Sequence, residues 1–275
     1  MDSALGSKAR IIVLMSHYND NERIKQSLAS FDENIPIDIL IVDDGSTVRP
    51  QEAELQPYFK PGKLRIVNME KNGGCGAARN LGLLRITEMQ PAYEFIGTMD
   101  SDDLNKPGRF RKQLEYLEKN TDIALIGSWI DCIDSKGNFL YTHKYPVKDK
   151  EIKKHMYVNS MFAHPTMLFR SEILKTVGFF PEKYRWSEDY AFVFNVSKKF
   201  KVENLPEALI YYTINEKGYS SKNRRAQVWD RLRIIKDNFE FGFWPVYGLL
   251  RNFPLLFMSR EFLVRIKKLL RKNSL

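Results

Sequence analysis

Along residues 10–134, short apolar runs alternate with stretches in which apolar side chains recur every three or four positions. The runs cover residues 11–15, 37–42, 64–68, 93–99 and 123–130; several are nearly unbroken Ile, Leu and Val, as in strands buried on both faces. Helical patterns fill the gaps at 21–31, 51–59, 74–87 and 107–119. This alternation predicts βαβ units, and so an α/β fold with a Rossmann-like, mostly parallel central sheet flanked by helices. After Lys136 the order loosens into short strands at 139–142, 166–169 and 208–213 and a helix over 187–199, with no Pro/Gly/Ser-rich linker. Residues 1–221 therefore read as one domain with halves 1–135 and 136–221, followed by a helical extension over 222–275.

Two strands end in acid. The run at 37–42 stops at Asp43-Asp44-Gly45-Ser46, and the run at 93–99 stops at Asp100-Ser101-Asp102-Asp103. In open α/β sheets ligands sit beyond the carboxyl ends of the strands, where strand order reverses, so both clusters can face one crevice. Carboxylates there suit a hard divalent cation, Mn²⁺ or Mg²⁺, whose shell a diphosphate would complete. The alternative is two polar turns, the second capping the helix that starts near Pro107.

Further chemistry follows the third strand. Lys71 to Asn80 contains Gly73, Gly74 and Gly76 before Arg79, a glycine-rich entry to a helix that either admits an anion to backbone N–H groups or allows tight packing. Ser187-Glu188-Asp189 opens a later helix, with Ser187 as a candidate N-cap and either acid as a candidate general base. His164 precedes a strand and reads as a ligand contact or as a buried structural residue.

Charge is localised. The chain carries a net +9, yet residues 222–275 hold 13 Lys and Arg against 4 Asp and Glu, and the remainder is balanced at 30 against 30. No zinc spacing or nucleic-acid reading module accompanies this excess, so nucleic acid is not the expected partner. In residues 259–275, Phe262, Leu263, Ile266, Leu269 and Leu270 form one helical stripe bordered by Lys and Arg, which points to an anionic membrane surface or to a core-packed helix with a solvated face. No run is long enough to span a bilayer, and the first ten residues lack a signal-peptide core, giving the expectation of a cytoplasmic protein. Cys75 and Cys132 do not suggest a disulfide framework.

Taken in order, Ser16-His17-Tyr18-Asn19, Val42 to Ser46, Asn72-Gly73-Gly74 through Ala78-Arg79-Asn80-Leu81-Gly82, Asp100 to Asp103, His164-Pro165-Thr166 and Glu188-Asp189-Tyr190 resemble the family 2 inverting glycosyltransferases over residues 11–221. The resemblance implies a GT-A fold, with 1–135 as the nucleotide-sugar half and 136–221 as the acceptor side. It further resembles bacterial lipooligosaccharide, O-antigen and capsule enzymes that move GlcNAc, Gal or Glc from a UDP-sugar to a lipid-linked or oligosaccharide acceptor, peripherally at the inner face of the cell membrane. By this resemblance Asp189 is the base and Asp102 the metal ligand. Ser16, Tyr18, Asn19, Asp44, Asn72, Arg79, Asp100, Ser101, Asp102, His164 and Glu188 contact the nucleotide sugar, Asp44 at the uracil.

One departure stands out. Family members often end the catalytic region with Tyr-Arg-x-His, where this chain has Tyr212-Thr213-Ile214-Asn215. Lys217 or Lys222 could replace the missing charge, or the protein could be a non-catalytic UDP-sugar binder or membrane scaffold. A sugar-nucleotide pyrophosphorylase would need a glycine-rich basic loop after the first strand, which Ser16 to Asn19 does not supply.

Overall fold

The computed structural model describes residues 9–90, 92–214 and 223–258. The expected amphipathic stripe at 259–275, and Asn215, Lys217 and Lys222, lie outside the described residues. Among these, nine strands form one sheet: β1 (Ile11–His17), β2 (Ile37–Asp43), β3 (Leu64–Asn68), β4 (Phe95–Asp100), β5 (Leu104–Asn105), β6 (Ile123–Ile133), β7 (Phe139–His143), β8 (Leu168–Arg170) and β9 (Lys201–Thr213). The order is β3-β2-β1-β4-β8-β6-β9-β5, with β7 on β6. Strands β3, β2, β1 and β4 run parallel, as do β6 and β9, and the antiparallel β8 joins the two blocks.

The register places the acids. His17 pairs with Asp43 across β1 and β2, and Ser16 pairs with Asp100 across β1 and β4, so the three strands end level. The chain leaves β1 for β2 on one side and returns to β4 on the other, which makes this edge the switch point of the sheet.

Alternate strand residues face opposite layers, as a two-residue repeat requires. Ile12, Leu14, Leu40, Val42 and Ile96 pack against α3 (Cys75–Glu88) and α7 (Glu188–Lys199), which contributes Phe192, Phe194 and Val196. Ile11, Val13, Met15, Ile39, Ile41 and Phe95 pack against α1 (Asn21–Ala29) and α4 (Arg109–Lys119) through Ile24, Leu28, Phe110 and Leu117. The remaining helices are α2 (Glu52–Leu55), α5 (Asp149–Met156), α6 (Leu174–Val177), α8 (Arg224–Asp237) and α9 (Phe243–Asn252).

Three local expectations change. The pattern at 51–59 breaks at Leu55 into a 3₁₀ turn, Gln56–Tyr58, where Pro57 has no N–H for an α-helical bond. Helix α4 starts at Arg109 after Gly108 at φ 69, and its open N–H groups are met by the distant Glu33, whose oxygens accept from Phe110 at 2.7 Å and Arg111 at 3.2 Å. The acidic turn at 100–103 is therefore not its cap. Ser187 does hold the N-cap position of α7, but its side chain does not cap the helix; its hydroxyl donates to the carbonyl of Gln227 at 3.4 Å. Both cysteines are free thiols, and no helix among the described residues is long and apolar enough to cross a membrane.

Candidate active site

A cavity of about 780 Å³ opens at the level ends of β1, β2 and β4. Of the residues singled out in sequence, Ser16, Tyr18, Asp44, Asn72, Arg79, Asp100, Ser101, Asp102, His164, Glu188 and Asp189 all line it. Asn19 does not. It adopts a left-handed conformation at φ 52, donates its N–H to the Ser46 hydroxyl at 2.8 Å and accepts from the Thr47 N–H at 2.9 Å, joining the loops after β1 and β2.

The β2 end is built around two carboxylates that accept from backbone. Asp43 takes the N–H of Ser46 at 3.0 Å, while Asp44 takes those of Gly73 at 2.7 Å and Gly74 at 2.9 Å. Glycine is needed for this docking: a Cβ on Gly45 would lie 2.6 Å from the Asn72 nitrogen, and both Gly45 and Gly74 have positive φ. Burial raises the Asp44 carboxyl above its ordinary value despite the two N–H groups that oppose the rise.

The β4 end is organised by Arg79, which is buried and projects from the second turn of α3. Its guanidinium donates to Asp100 at 3.1 Å and to Glu188 at 2.7 Å, over the ring of Phe180. One cation thus ties the end of the parallel block to the start of α7. Glu188 is pushed up to about 7, burial outweighing the guanidinium, with Asp189 adding to the rise. His164 sits 3.8 Å from Asp100, and burial first, then Arg79 and Arg109, hold its pKa well below the ordinary value, so the ring is neutral.

Asp102 is more open and faces Arg23 of α1 at 3.7 Å; burial and the neighbouring Asp100 push it up to about 6. The turn carrying it is held from β9. Thr213 donates its N–H to Asp103 and its hydroxyl to the carbonyl of Asp102, both at 2.8 Å. The residue that breaks the Tyr-Arg-x-His pattern therefore clamps the acidic turn. Asp103 is fully buried and raised well above its ordinary value, by burial and then by Asp100 and Asp102.

No group of three or more His, Cys, Asp or Glu among the described residues forms a cage for a metal ion. The donor set nevertheless fits a hard cation that brings oxygen ligands with it. Asp102 opens on the cavity beside Asp100; burial first, and then a neighbouring carboxylate, raises each, and an incoming positive charge would relieve that.

Glu188 and Asp189 differ in availability. Glu188 is buried on Arg79, whereas Asp189 is half-buried on the cavity wall with one oxygen accepting the Tyr190 N–H at 2.7 Å. The cavity wall also carries Tyr141 and Tyr145, neither of which stood out in sequence, and Tyr212. They come from β7, the loop after it and β9, and only the topology brings them together. Arg23 was missed too; its signal was a basic residue in the first turn of the helix after β1.

The architecture is shared with solved structures that hold nucleotide sugars. Residues 1–349 of *Staphylococcus aureus* TarS, in complex with UDP-GlcNAc, superimpose with a TM-score of 0.62 at 20% identity, covering 88% of this chain and 72% of that one. The *Pyrobaculum calidifontis* mannosyltransferase PcManGT, in complex with GDP-Man and Mn²⁺, gives 0.61 at 16% identity, covering 92% and 71%. This is the GT-A architecture. Residues 12–178 match the sequence model of glycosyl transferase family 2, and the chain belongs to that family. An uncharacterized glycosyltransferase of *Methanocaldococcus jannaschii* is 31% identical over 229 residues, 81% of this chain and 77% of the relative. An *Escherichia coli* UDP-Gal:alpha-D-GlcNAc-diphosphoundecaprenol beta-1,3-galactosyltransferase is 25% identical over 235 residues, covering 83% and 82%.

Proposed function

We propose that the protein is an inverting, metal-dependent transferase that moves GlcNAc, Gal or Glc from a UDP-sugar to a hydroxyl of a lipid-linked oligosaccharide in bacterial surface-polysaccharide synthesis, peripherally at the inner face of the cell membrane. The observation that carries this reading is the convergence of Asp102 and Asp189 on one cavity, on two elements tied by Arg79. The *E. coli* relative's named reaction supports the donor and acceptor classes, and the PcManGT complex with Mn²⁺ supports metal use.

In this reading Asp44 and Tyr18 take the uracil, since each Asp44 oxygen keeps a lone pair beyond the one given to the glycine loop. Asp100 takes the ribose side. Asp102, with Asp100 beside it, would hold Mn²⁺ or Mg²⁺ together with the donor's phosphate oxygens, and such an ion neutralises charge on the departing diphosphate. Asp189 accepts the proton of the acceptor hydroxyl as that oxygen attacks the anomeric carbon from the face opposite UDP. The new C–O bond forms as the bond to the diphosphate breaks, its electron pair leaves with UDP, and the configuration inverts. Glu188 is a poor base here because Arg79 occupies it.

The test is UDP release from a panel of UDP-sugars with Mn²⁺, Mg²⁺ or EDTA, in wild type and Asp189→Asn. One donor should be consumed in a metal-dependent reaction. The variant should keep its thermal shift with UDP while turnover falls roughly 10²- to 10⁴-fold, the usual worth of a general base. Undiminished turnover would remove Asp189 from the role, and silence across the panel without any UDP-induced shift would sink the whole reading.

A further inference from the structure

Helix α9 is inside out. Its buried positions are Pro245, Gly248 and Asn252, while Phe243, Val246, Tyr247 and Leu250 lie on the solvent side at spacings of three and four. A surface helix ordinarily does the reverse. Phe243 is 71% exposed and Leu250 69%, and the stripe continues through Phe253 at 57% and Phe257 at 73%, with Phe241 fully exposed at its start.

This orientation is fixed by polar groups and close backbone approach. A Cβ on Gly248 would lie 1.9 Å from the carbonyl oxygen of Tyr157, so the helix backbone rests directly on the body. Asn252 is fully buried, donates to the carbonyl of Val158 at 3.0 Å and accepts from Arg231 at 3.0 Å. Arg224 donates to the carbonyl of Leu255 at 3.1 Å and to that of Met258. Turning the apolar stripe inward would strand these groups, so its exposure is built in.

We propose that this face, from Phe241 to Phe257, docks on an anionic lipid bilayer. Contiguous exposed apolar surface of this kind marks an interaction site, and aromatic side chains suit the interfacial zone. Charge selects the partner. From residue 241 to 258 the only charged side chain is Arg251, and residues 222–275 as a whole carry 13 Lys and Arg against 4 Asp and Glu. An anionic surface is complementary to that excess, whereas a symmetric pair of copies would bring two like-charged faces together. Helix α8 packs on α9 and places Gln227 on the cavity wall, so docking would hold the cavity at a set height above the headgroups.

This surface deepens the lipid-linked acceptor reading and rests on it for its purpose, but its test is independent. The full chain, wild type and a Phe243→Ser/Leu250→Ser/Phe253→Ser variant, is floated with vesicles of equal parts phosphatidylethanolamine and phosphatidylglycerol, and with phosphatidylcholine alone. UDP-sugar hydrolysis, UDP-induced thermal shift and size-exclusion mass are measured in parallel. Wild type should float with the anionic vesicles, and the triple variant should lose at least about tenfold in partitioning. Its hydrolysis and UDP-induced shift should be unchanged. Phe139→Ser, which removes another exposed aromatic on β7, should float like wild type. Three results would overturn the docking face: no flotation of wild type, as expected if residues 259–275 cover the stripe; equal loss in Phe139→Ser; or a wild-type dimer that the triple variant makes monomeric without vesicle binding. Flotation that is lost in the triple variant in a protein without transferase activity would leave the docking face standing and remove the transferase.

Discussion

The ends of β2 and β4 present the same sequence signal, an apolar strand running into a pair or triplet of acids, and the structure uses them differently. At β2, Asp43 and Asp44 accept from the N–H groups of Ser46, Gly73 and Gly74 and so knit loops together. At β4, Asp100 meets a guanidinium and Asp102 faces the cavity, where its ion-pair partner among the described residues, Arg23, is 3.7 Å away. Backbone donors are fixed and permanent, so they give Asp44 a structural duty alongside the lone pairs it keeps for a ligand. A long or mobile cation leaves the carboxylate available to a ligand. An acidic strand end becomes a binding site according to which donors the rest of the chain brings to it.

Exchanging the acids for neutral groups sharpens this contrast, and the largest effect is expected at Asp102. Asp102→Ala should abolish metal-stimulated UDP release, a loss of the order of 10³-fold, without lowering the melting temperature of the cation-free protein. The same residue predicts a pH dependence. Its carboxyl is raised to about 6 in the folded protein, so cation binding, which needs the ionised form, should weaken as pH falls through about 6. The cation-free protein should shift the opposite way, gaining stability over that window as a costly buried charge is neutralised. Mn²⁺ titrations followed by thermal shift at about pH 8 and about pH 5 check both signs; a metal midpoint that does not move with pH would detach Asp102 from the cation.

Asp44→Asn should reverse that balance between stability and turnover. An amide can accept from one of the two glycine N–H groups but not both, and the unmatched pair costs roughly 1–3 kcal/mol. Chemical denaturation should register this loss, with metal dependence retained; a variant as stable as wild type would show that the glycine loop does not depend on Asp44.

The smallest effect belongs to Thr213. Thr213→Val keeps the backbone bond to Asp103 and removes the hydroxyl bond to the Asp102 carbonyl, so donor KM should rise several-fold, corresponding to about 1 kcal/mol, with kcat nearly unchanged. Thr213→Ser should restore it. Equal kinetics in all three proteins would leave the clamp without a role in the site.

Much of this could be read from the chain. The strands through 130 were visible as short apolar runs, several of them nearly unbroken Ile, Leu and Val, and the site acids because they follow two of those strands directly. What escaped depends on distant partners. Nothing near residue 109 announces that Glu33 caps α4, and Ser187 has the right identity and position for an N-cap yet turns to Gln227. The three residues of β8 are too few to show that they join two parallel blocks. In α9 the periodicity shows a stripe, but whether it faces inward is decided by Gly248 and Asn252, a glycine and an amide that a hydrophobic pattern ignores.

Arg79 also has a bearing on how the molecule comes to be made. Its two carboxylate partners lie 21 and 109 residues further along the chain. During synthesis Asp100 emerges soon after it, but Glu188 arrives only when most of the second half has been translated, and contacts of such separation close late. Until then a guanidinium destined for the interior has one acid instead of two. Arg79 therefore gains its second carboxylate partner only after the helix bearing the candidate base has been made and has docked.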